Sequence, residues 1–392
     1  MNRIVALLIT VVAAVACLLV FYNLYSSSRV SDQEGMSVTN STFTWPDALH
    51  NKKISSQSLL GPTTLQQEKT LELQSLLSNG LNSSDRTSVH NIPSANVYFL
   101  TDAHFNDQGW GTQGLSGVSS LNASSVDRVS ISGVVTSLIE HANKNPKMII
   151  AQGFQWGDPI LKIAPRYPNI KFVVMTGLKQ APNVLSIYPE QQQAAFLLGA
   201  VAAMMSKNHV IGFVGGQDYP NIVNIADGYE QGAHYIDPDT RVISEWTFDF
   251  NNITKGKQVA LDEISYGADV VLHTADTSGQ GVIEAAKEIG VYALGAVADQ
   301  SHLAPNTVLT SFVIDMKKAY TKAYDDVIHD RFVGKILRPG LEAGPNGTGD
   351  GIIYLAPFNS KVPEVVKSKI SELTSDIMSG RIVVPERNLP IS

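Results

Sequence analysis

The sequence predicts an α/β fold of two doubly wound lobes, preceded by an N-terminal membrane helix. Three observations lead there. From Asn96 onward short β-branched runs alternate with helical patterns, and repeated βα order builds parallel sheets. Most of those runs are continuously apolar, as strands covered by helices on both faces must be. Near the start, Ile4 to Tyr25 is a 22-residue segment without a charge. At about 1.5 Å per residue it matches a hydrocarbon layer of roughly 30 Å.

Arg3 precedes that segment and Arg29, Asp32 and Glu34 follow it, a bias that favours a cytoplasmic N-terminus and an exported body. Three readings stay open: an uncleaved signal anchor, a lipoprotein with Cys17 as its lipidated residue, and a cleaved signal peptide. Ala14–Cys17 resembles a lipoprotein box, although Leu18–Phe21 continues apolar beyond it. Each reading places the body on the extracytoplasmic side of the plasma membrane. Residues 26–93 are rich in Ser, Asn, Thr and Gln and read as a flexible tether, with one leucine-spaced stretch at Leu65–Leu81.

Strands are expected at Val97–Thr101, Met148–Gln152, Phe172–Thr176, Val184–Tyr188, Val210–Val214, Val242–Phe250, Val270–Thr274, Tyr292–Val297 and Val308–Val313. Helices are expected at Val134–Asn143, Pro159–Tyr167, Glu190–Ser206, Ile222–Tyr235, Gln258–Tyr266, Gln280–Ile289 and Met316–Asp330. Ala194–Met205 is apolar all round and too short to span a bilayer, so it is a core helix. Gly344–Gly351 reads as a turn before a late strand at Ile352–Pro357, and a helix around Val362–Met378 closes the chain. The expected division gives a first lobe of residues 94–206 plus about 298–330. The second lobe takes 207–297 plus about 331–392.

Composition narrows the function. A chain of 392 residues with 44% apolar and 17% charged residues is neither disordered nor a polytopic membrane protein. Its net charge of −7, without a block of Lys or Arg, argues against a nucleic-acid surface. Cys17 is the single cysteine, so neither an internal disulfide nor a thiolate cage can form. The nine histidines have no metal-ligand spacing, and hydrolase, zincin, Walker and dinucleotide motifs are missing. Val210–Gly216 has the wrong glycine spacing for a dinucleotide loop and reads as a strand ending in a close-approach turn. Neither enzyme chemistry nor a cofactor nor a metal is called for.

In open α/β sheets ligands bind beyond the carboxyl ends of the strands. Those ends carry Asp102–Trp110, Gly153–Asp158, Trp246–Phe250, Asp276–Gly279 and Asp299–Gln300. Carboxylates, amides and aromatics recurring at one edge suit a flat polar ligand with hydroxyls: rings stack on it, and Asp or Asn side chains hold the hydroxyls.

At these residues the sequence resembles the basic membrane protein family of extracytoplasmic solute-binding proteins. Asp102–Asn106 with Trp110 and Gly111, Ile149–Asp158 with Tyr167–Phe172, Phe196–Val214 on to Gly232, and Tyr292–Ser311 carry the likeness, which spans about residues 96–380. The resemblance implies a type I periplasmic-binding fold, a purine nucleoside as ligand and an ABC permease as partner. By position it implies that Asp102, Phe105 and Asn106 contact the ligand and that Asp158 binds it through its carboxylate. It further implies that Phe248 or Phe250 stacks on the base, that Gly279 allows close approach, and that Asp299 takes ribose hydroxyls. Three positions depart from the family pattern: His104 for Ser, Val297 for Asp, and Ile314 near the usual Lys. These departures resemble a membrane-associated regulatory branch related to a competence regulator. The alternative function is therefore a regulatory or sensory protein that reuses the fold without transport.

Overall fold

The computed structural model describes residues 96–342 and 350–386. They lie within one of two compact units of the chain, residues 67–392. The segment 4–25, Cys17, the tether, the leucine-spaced stretch and most of the Gly-rich turn fall outside the described residues. Among the described residues no helix is long and apolar enough to cross a membrane.

The first lobe begins with β1 (Val97–Thr101), α1 (Trp110–Val118), β2 (Ser124–Val126), α2 (Val134–Ala142), β3 (Met148–Gln152), α3 (Gly157–Ile163), β4 (Lys171–Met175) and β5 (Val184–Ile187). The chain then crosses into α4 (Gln191–Met205), β6 (Val210–Gly215), α5 (Pro220–Ile236), β7 (Arg241–Trp246), α6 (Ile253–Ser265), β8 (Val270–Thr274), α7 (Asp276–Ile289), β9 (Tyr292–Gly295) and β10 (Val308–Ile314). It returns for α8 (Met316–Ile328) and β11 (Ile336–Leu337). It ends in the second lobe with β12 (Ile353–Leu355) and α9 (Glu364–Met378). The sheets run β11-β5-β4-β3-β1-β2 and β12-β10-β9-β8-β6-β7. Every pairing is parallel except β10 with β12.

The two-residue period of a strand sorts side chains between two cores. Val97 and Phe99 of β1 join Met148 and Ile150 of β3 in one cluster, while Tyr98 and Leu100 join Ile149 and Ala151 in another. Both faces of the first sheet are thus covered, as continuous apolar strands require. On the second sheet Val214 and Val271 pack against Ala260, Val282 and Ile283 of α6 and α7. The opposite face meets α4, which is buried along almost its whole length, as its composition indicated.

The α4–α5 contact is set by glycines. A methyl on Gly199 would stand 1.9 Å from the Tyr229 carbonyl oxygen, and one on Gly232 would stand 1.8 Å from that of Phe196. Backbones this close leave α4 no alternative partner, which corrects the expected lobe boundaries. The helix belongs to the second lobe, where the expectation placed it in the first. β10 continues the second sheet, and β11 returns to the first beside β5. The crossings lie at Tyr188–Glu190, Ile314–Met316 and Leu337–Leu341 instead of near 206, 297 and 330. The first and third run side by side, with Tyr188 and Glu190 amides donating to the carbonyls of Leu337 (2.8 Å) and Pro339 (2.9 Å), while the Asp315 amide donates to the Ile352 carbonyl (2.7 Å). Lys318 of α8 spans them, its Nζ 2.5 Å from buried Glu342 and 2.7 Å from the Gly351 carbonyl.

Smaller differences have local causes. β7 stops at Trp246 because Thr247 turns the chain, its hydroxyl donating to the Asp249 carbonyl (2.6 Å), and Phe248 adopts a φ of +50°. β9 ends at Gly295, before Val297 at φ +68°. β2 and β11, three and two residues long, are too short to give a periodic signal. α1 was not expected, because its three glycines depress helix propensity.

Replacing Gly232 by Ala forces α4 and α5 apart. Overpacking of this kind costs about 1–3 kcal/mol, and the loss is to be read as a lower urea midpoint at unchanged slope.

Candidate ligand-binding cleft

The carboxyl ends of both parallel sheets face one space between the lobes, about 800 Å³ counted out to its open mouth. From the first lobe come Asp102 and Asp107 after β1, Gly153–Gln155 after β3, Thr176 after β4, and Trp110 at the start of α1. From the second come Gln191 at the start of α4, Tyr219 and Asn221 around the start of α5, Phe250 and Asn251 beyond β7, His273–Asp276 at the end of β8, and Val297 and Gln300 beyond β9.

Asp107 organises the first-lobe rim. Its carboxylate accepts backbone hydrogen bonds from Gly109 (2.9 Å), Gly111 (2.6 Å) and Thr112 (3.0 Å), and so caps α1 where amides lack helical partners. The second lobe grips the same loop. Gln280 Nε2 donates to the Asp107 carbonyl (2.9 Å), Gln300 Nε2 donates to the Gln108 carbonyl (3.2 Å), and His302 Nε2 lies 3.1 Å from Gln108 Oε1. Gln300 Oε1 accepts from the Ala296 amide (3.0 Å) and faces His273 Nε2 at 2.9 Å, which assigns the proton of that imidazole to Nε2. Burial pushes the His273 pKa down to about 4, so the ring is neutral at physiological pH.

The cleft is acidic. Burial raises the Asp102 pKa to about 6, against hydrogen bonds from its own backbone and from Gln155. Burial, then the carboxylates of Asp107 and Asp102, hold Asp276 well above the usual range, with a backbone hydrogen bond from Trp110 opposing them. No Lys or Arg lines the space. Aromatic rings form a linked wall, Phe154 to Tyr219 at 5.9 Å and Tyr219 to Phe250 at 6.2 Å. Gly216 seats the Phe250 ring, since a Cβ there would come within 2.0 Å of it. Gln191 Nε2 and Thr274 Oγ1 are buried in the lining without a hydrogen-bond partner. Thr176, Asp276 and Val297 hold φ between +48° and +68°, and strain of this sort concentrates at sites of function.

Of the residues the sequence singled out, Asp102 and Phe250 stand in the cleft wall. Phe105 turns into the core, its ring 6.0 Å from Phe99 and nearly parallel to it, and Asn106 is exposed outside the cleft. Asp158 opens α3 with 69% of its side chain exposed and Lys179 3.8 Å away. Phe248 is 59% exposed. Asp299 points to solvent and caps the following turn through the Ser301 amide (3.0 Å). Gly279 does provide a close approach, but to His273: an added Cβ would lie 1.9 Å from Nδ1. Tyr219, Asn221, Gln191 and His273 escaped sequence reasoning. The first three sit at helix starts instead of strand ends, where Pro189 and Pro220 were the available signals. His273 hides inside an apolar strand.

Residues 94–388 match a family model, Bmp, described as ABC transporter substrate-binding protein PnrA-like. The transcriptional activator protein Med of Bacillus subtilis (strain 168) is 30% identical over 277 residues, covering 68% of this chain and 84% of that one. A purine-binding protein of Brucella abortus (strain 2308) is 27% identical over 241 residues, covering 62% and 66% respectively. An ABC transporter system solute-binding protein from Aeropyrum pernix K1 shares the fold, with a TM-score of 0.65 and 24% identity over 74% of this chain and 94% of that one.

Two outcomes test the cleft. Asp107→Ala removes a charged acceptor from three amides and lowers stability by about 1.5–3 kcal/mol in chemical denaturation. Asp102 binds its proton more tightly folded (about 6) than unfolded (3.8). Its contribution is therefore present in full below about pH 4 and lost as pH rises through about 6. Asp102→Asn flattens that fall, so the melting temperature of the variant gains on the wild type between pH 4 and pH 7.

Proposed function

The chain belongs to the family of ABC transporter substrate-binding proteins of the PnrA-like type, and on that premise we propose that it captures a purine nucleoside between its two lobes. The observation that carries this reading is the pairing of an aromatic wall with buried, partly unpartnered polar groups around one cleft. A purine has two apolar faces for Phe250, Tyr219 and Phe154. Ribose hydroxyls are donors for the carboxyl groups of Asp102 and Asp276, and ring nitrogens or ribose oxygens are acceptors for Gln191 Nε2. The relative named as purine binding supports the same ligand class.

Capture involves no bond-making. The lobes open and close on the three crossings, and the loop around Gln108 is the closing contact. We place the body on the extracytoplasmic side of the plasma membrane, held by residues 4–25 through the tether 26–93 and delivering ligand to an ABC permease. A second reading, a membrane-associated regulator using the same cleft as a sensor, is favoured by the 30% identity to the activator protein Med.

The test is a thermal-shift titration of the full-length chain with adenosine, guanosine and inosine. Ligand at a hundred times its dissociation constant stabilises by about 2.7 kcal/mol. Phe250→Ala weakens binding by about tenfold or more, because it removes one stacking face. A folded protein that no nucleoside stabilises would end the nucleoside reading.

A further inference from the structure

We infer that the cleft selects, among nucleosides, those whose base carries a positive charge. The inference rests on the nucleoside reading above and narrows its substrate class.

Three carboxylates look into one space from both lobes, Asp102 and Asp107 from the first and Asp276 from the second. No Lys or Arg among the lining residues balances them, and His273 is neutral. Clustered acidic groups without a basic neighbour call for a partner of the opposite charge. A compact metal ion does not fit: among the described residues no group of three or more His, Cys, Asp or Glu side chains is placed to hold one. Both Asp107 oxygens are already taken by backbone amides, so this carboxylate acts through its field. The complement is instead a flat, delocalised cation, which aromatic faces attract through their negative quadrupole. Phe154, Tyr219 and Phe250 supply that surface as a continuous wall.

An independent observation marks the space as built for a ligand. Gln191 is 4% exposed and Thr274 6%, yet Gln191 Nε2 and Thr274 Oγ1 have no hydrogen-bond partner, and both residues line the cleft. Buried polar atoms normally find a partner in the protein, in ordered water or in a ligand. A purine cation does both: its charge answers the carboxylates and its polar edge answers these atoms.

The charge also predicts a proton linkage. The groups around Asp276 are the Asp107 and Asp102 carboxylates and the Trp110 backbone of the first lobe, with neutral His273 on its own side. The phenol of Tyr219 faces Asp102. Burial and the neighbouring carboxylates raise the Asp276 pKa in the empty cleft. A bound cation favours its ionised form, so binding releases a proton and the affinity for a cation rises with pH. An uncharged ligand brings no such change.

The experiment compares two isomers by titration calorimetry on the full-length chain. 1-Methyladenosine is protonated and cationic at neutral pH, and N6-methyladenosine has the same heavy atoms without the extra proton and its charge. The expected result is that the cationic isomer binds about tenfold tighter or more at pH 7.5, with the preference shrinking toward pH 5.5. Asp276→Asn narrows the ratio between the isomers. Asp102→Asn serves the same purpose if circular dichroism shows the first variant unfolded. Equal or tighter binding of N6-methyladenosine overturns the inference and leaves the nucleoside reading standing. Failure of both isomers and of adenosine and guanosine to bind overturns the nucleoside reading, and this inference with it.

Discussion

The carboxylate of Asp107 gathers three backbone amides into the first turn of α1, and the rest of the cleft is arranged around that fixed point. With the turn immobilised, the carbonyls of Asp107 and Gln108 present themselves to the opposite lobe, where Gln280 and Gln300 reach them. Gln300 in turn holds His273 in one tautomer and the strand end at Ala296 in place. Trp110, the first residue of α1, enters the cleft wall through the same anchorage. A charged acceptor bonded to several amides is among the stronger polar interactions a protein can make. A glycine-rich helix with weak intrinsic propensity needs one.

The sequence carried the fold in its apolar runs and its small residues. Continuous hydrophobic strands from Val97 to Val313 fixed the parallel sheets. The glycines of α5 and the small residues of α4 announced a tight helix pair, although only the structure shows which lobe owns it. Site residues were legible as positions and less so as directions. A strand end says that a residue stands near the crevice; the dihedral angles that follow decide where its side chain goes. Left-handed residues at Gln108, Phe248 and Val297 turn the loops after β1, β7 and β9, and no alternation pattern encodes such turns. Phe105, Phe248 and Asp299 therefore point elsewhere, while Asp102 and Phe250 reach the wall.

Buried acidic groups are treated differently beside the crossings and in the cleft. At the crossings Glu342 meets Lys318, and the pair also engages the Gly351 carbonyl. That carboxylate is balanced within the protein, as buried ions usually are. In the cleft Asp276 has no basic neighbour among the lining residues, and burial raises its pKa well above the usual range. One carboxylate is completed by the chain's own lysine, and the other has no basic partner among the residues that line the cleft.

The three crossings also impose an order on how the molecule is made. β11 pairs with β5 across a gap in which most of the second lobe is encoded, and α8 packs against α1 through Gly117 and Tyr320 across a still longer stretch of chain. The second lobe waits in the same way for β12 and α9. A chain emerging from the ribosome as far as Asp315 therefore has neither lobe finished, and each lacks its last strand and helix. Contacts so distant in sequence slow folding, because the intervening loop must be closed before they are gained. The lobes mature together, and the last sixty or so described residues, which contribute little to the cleft wall, decide when both become stable.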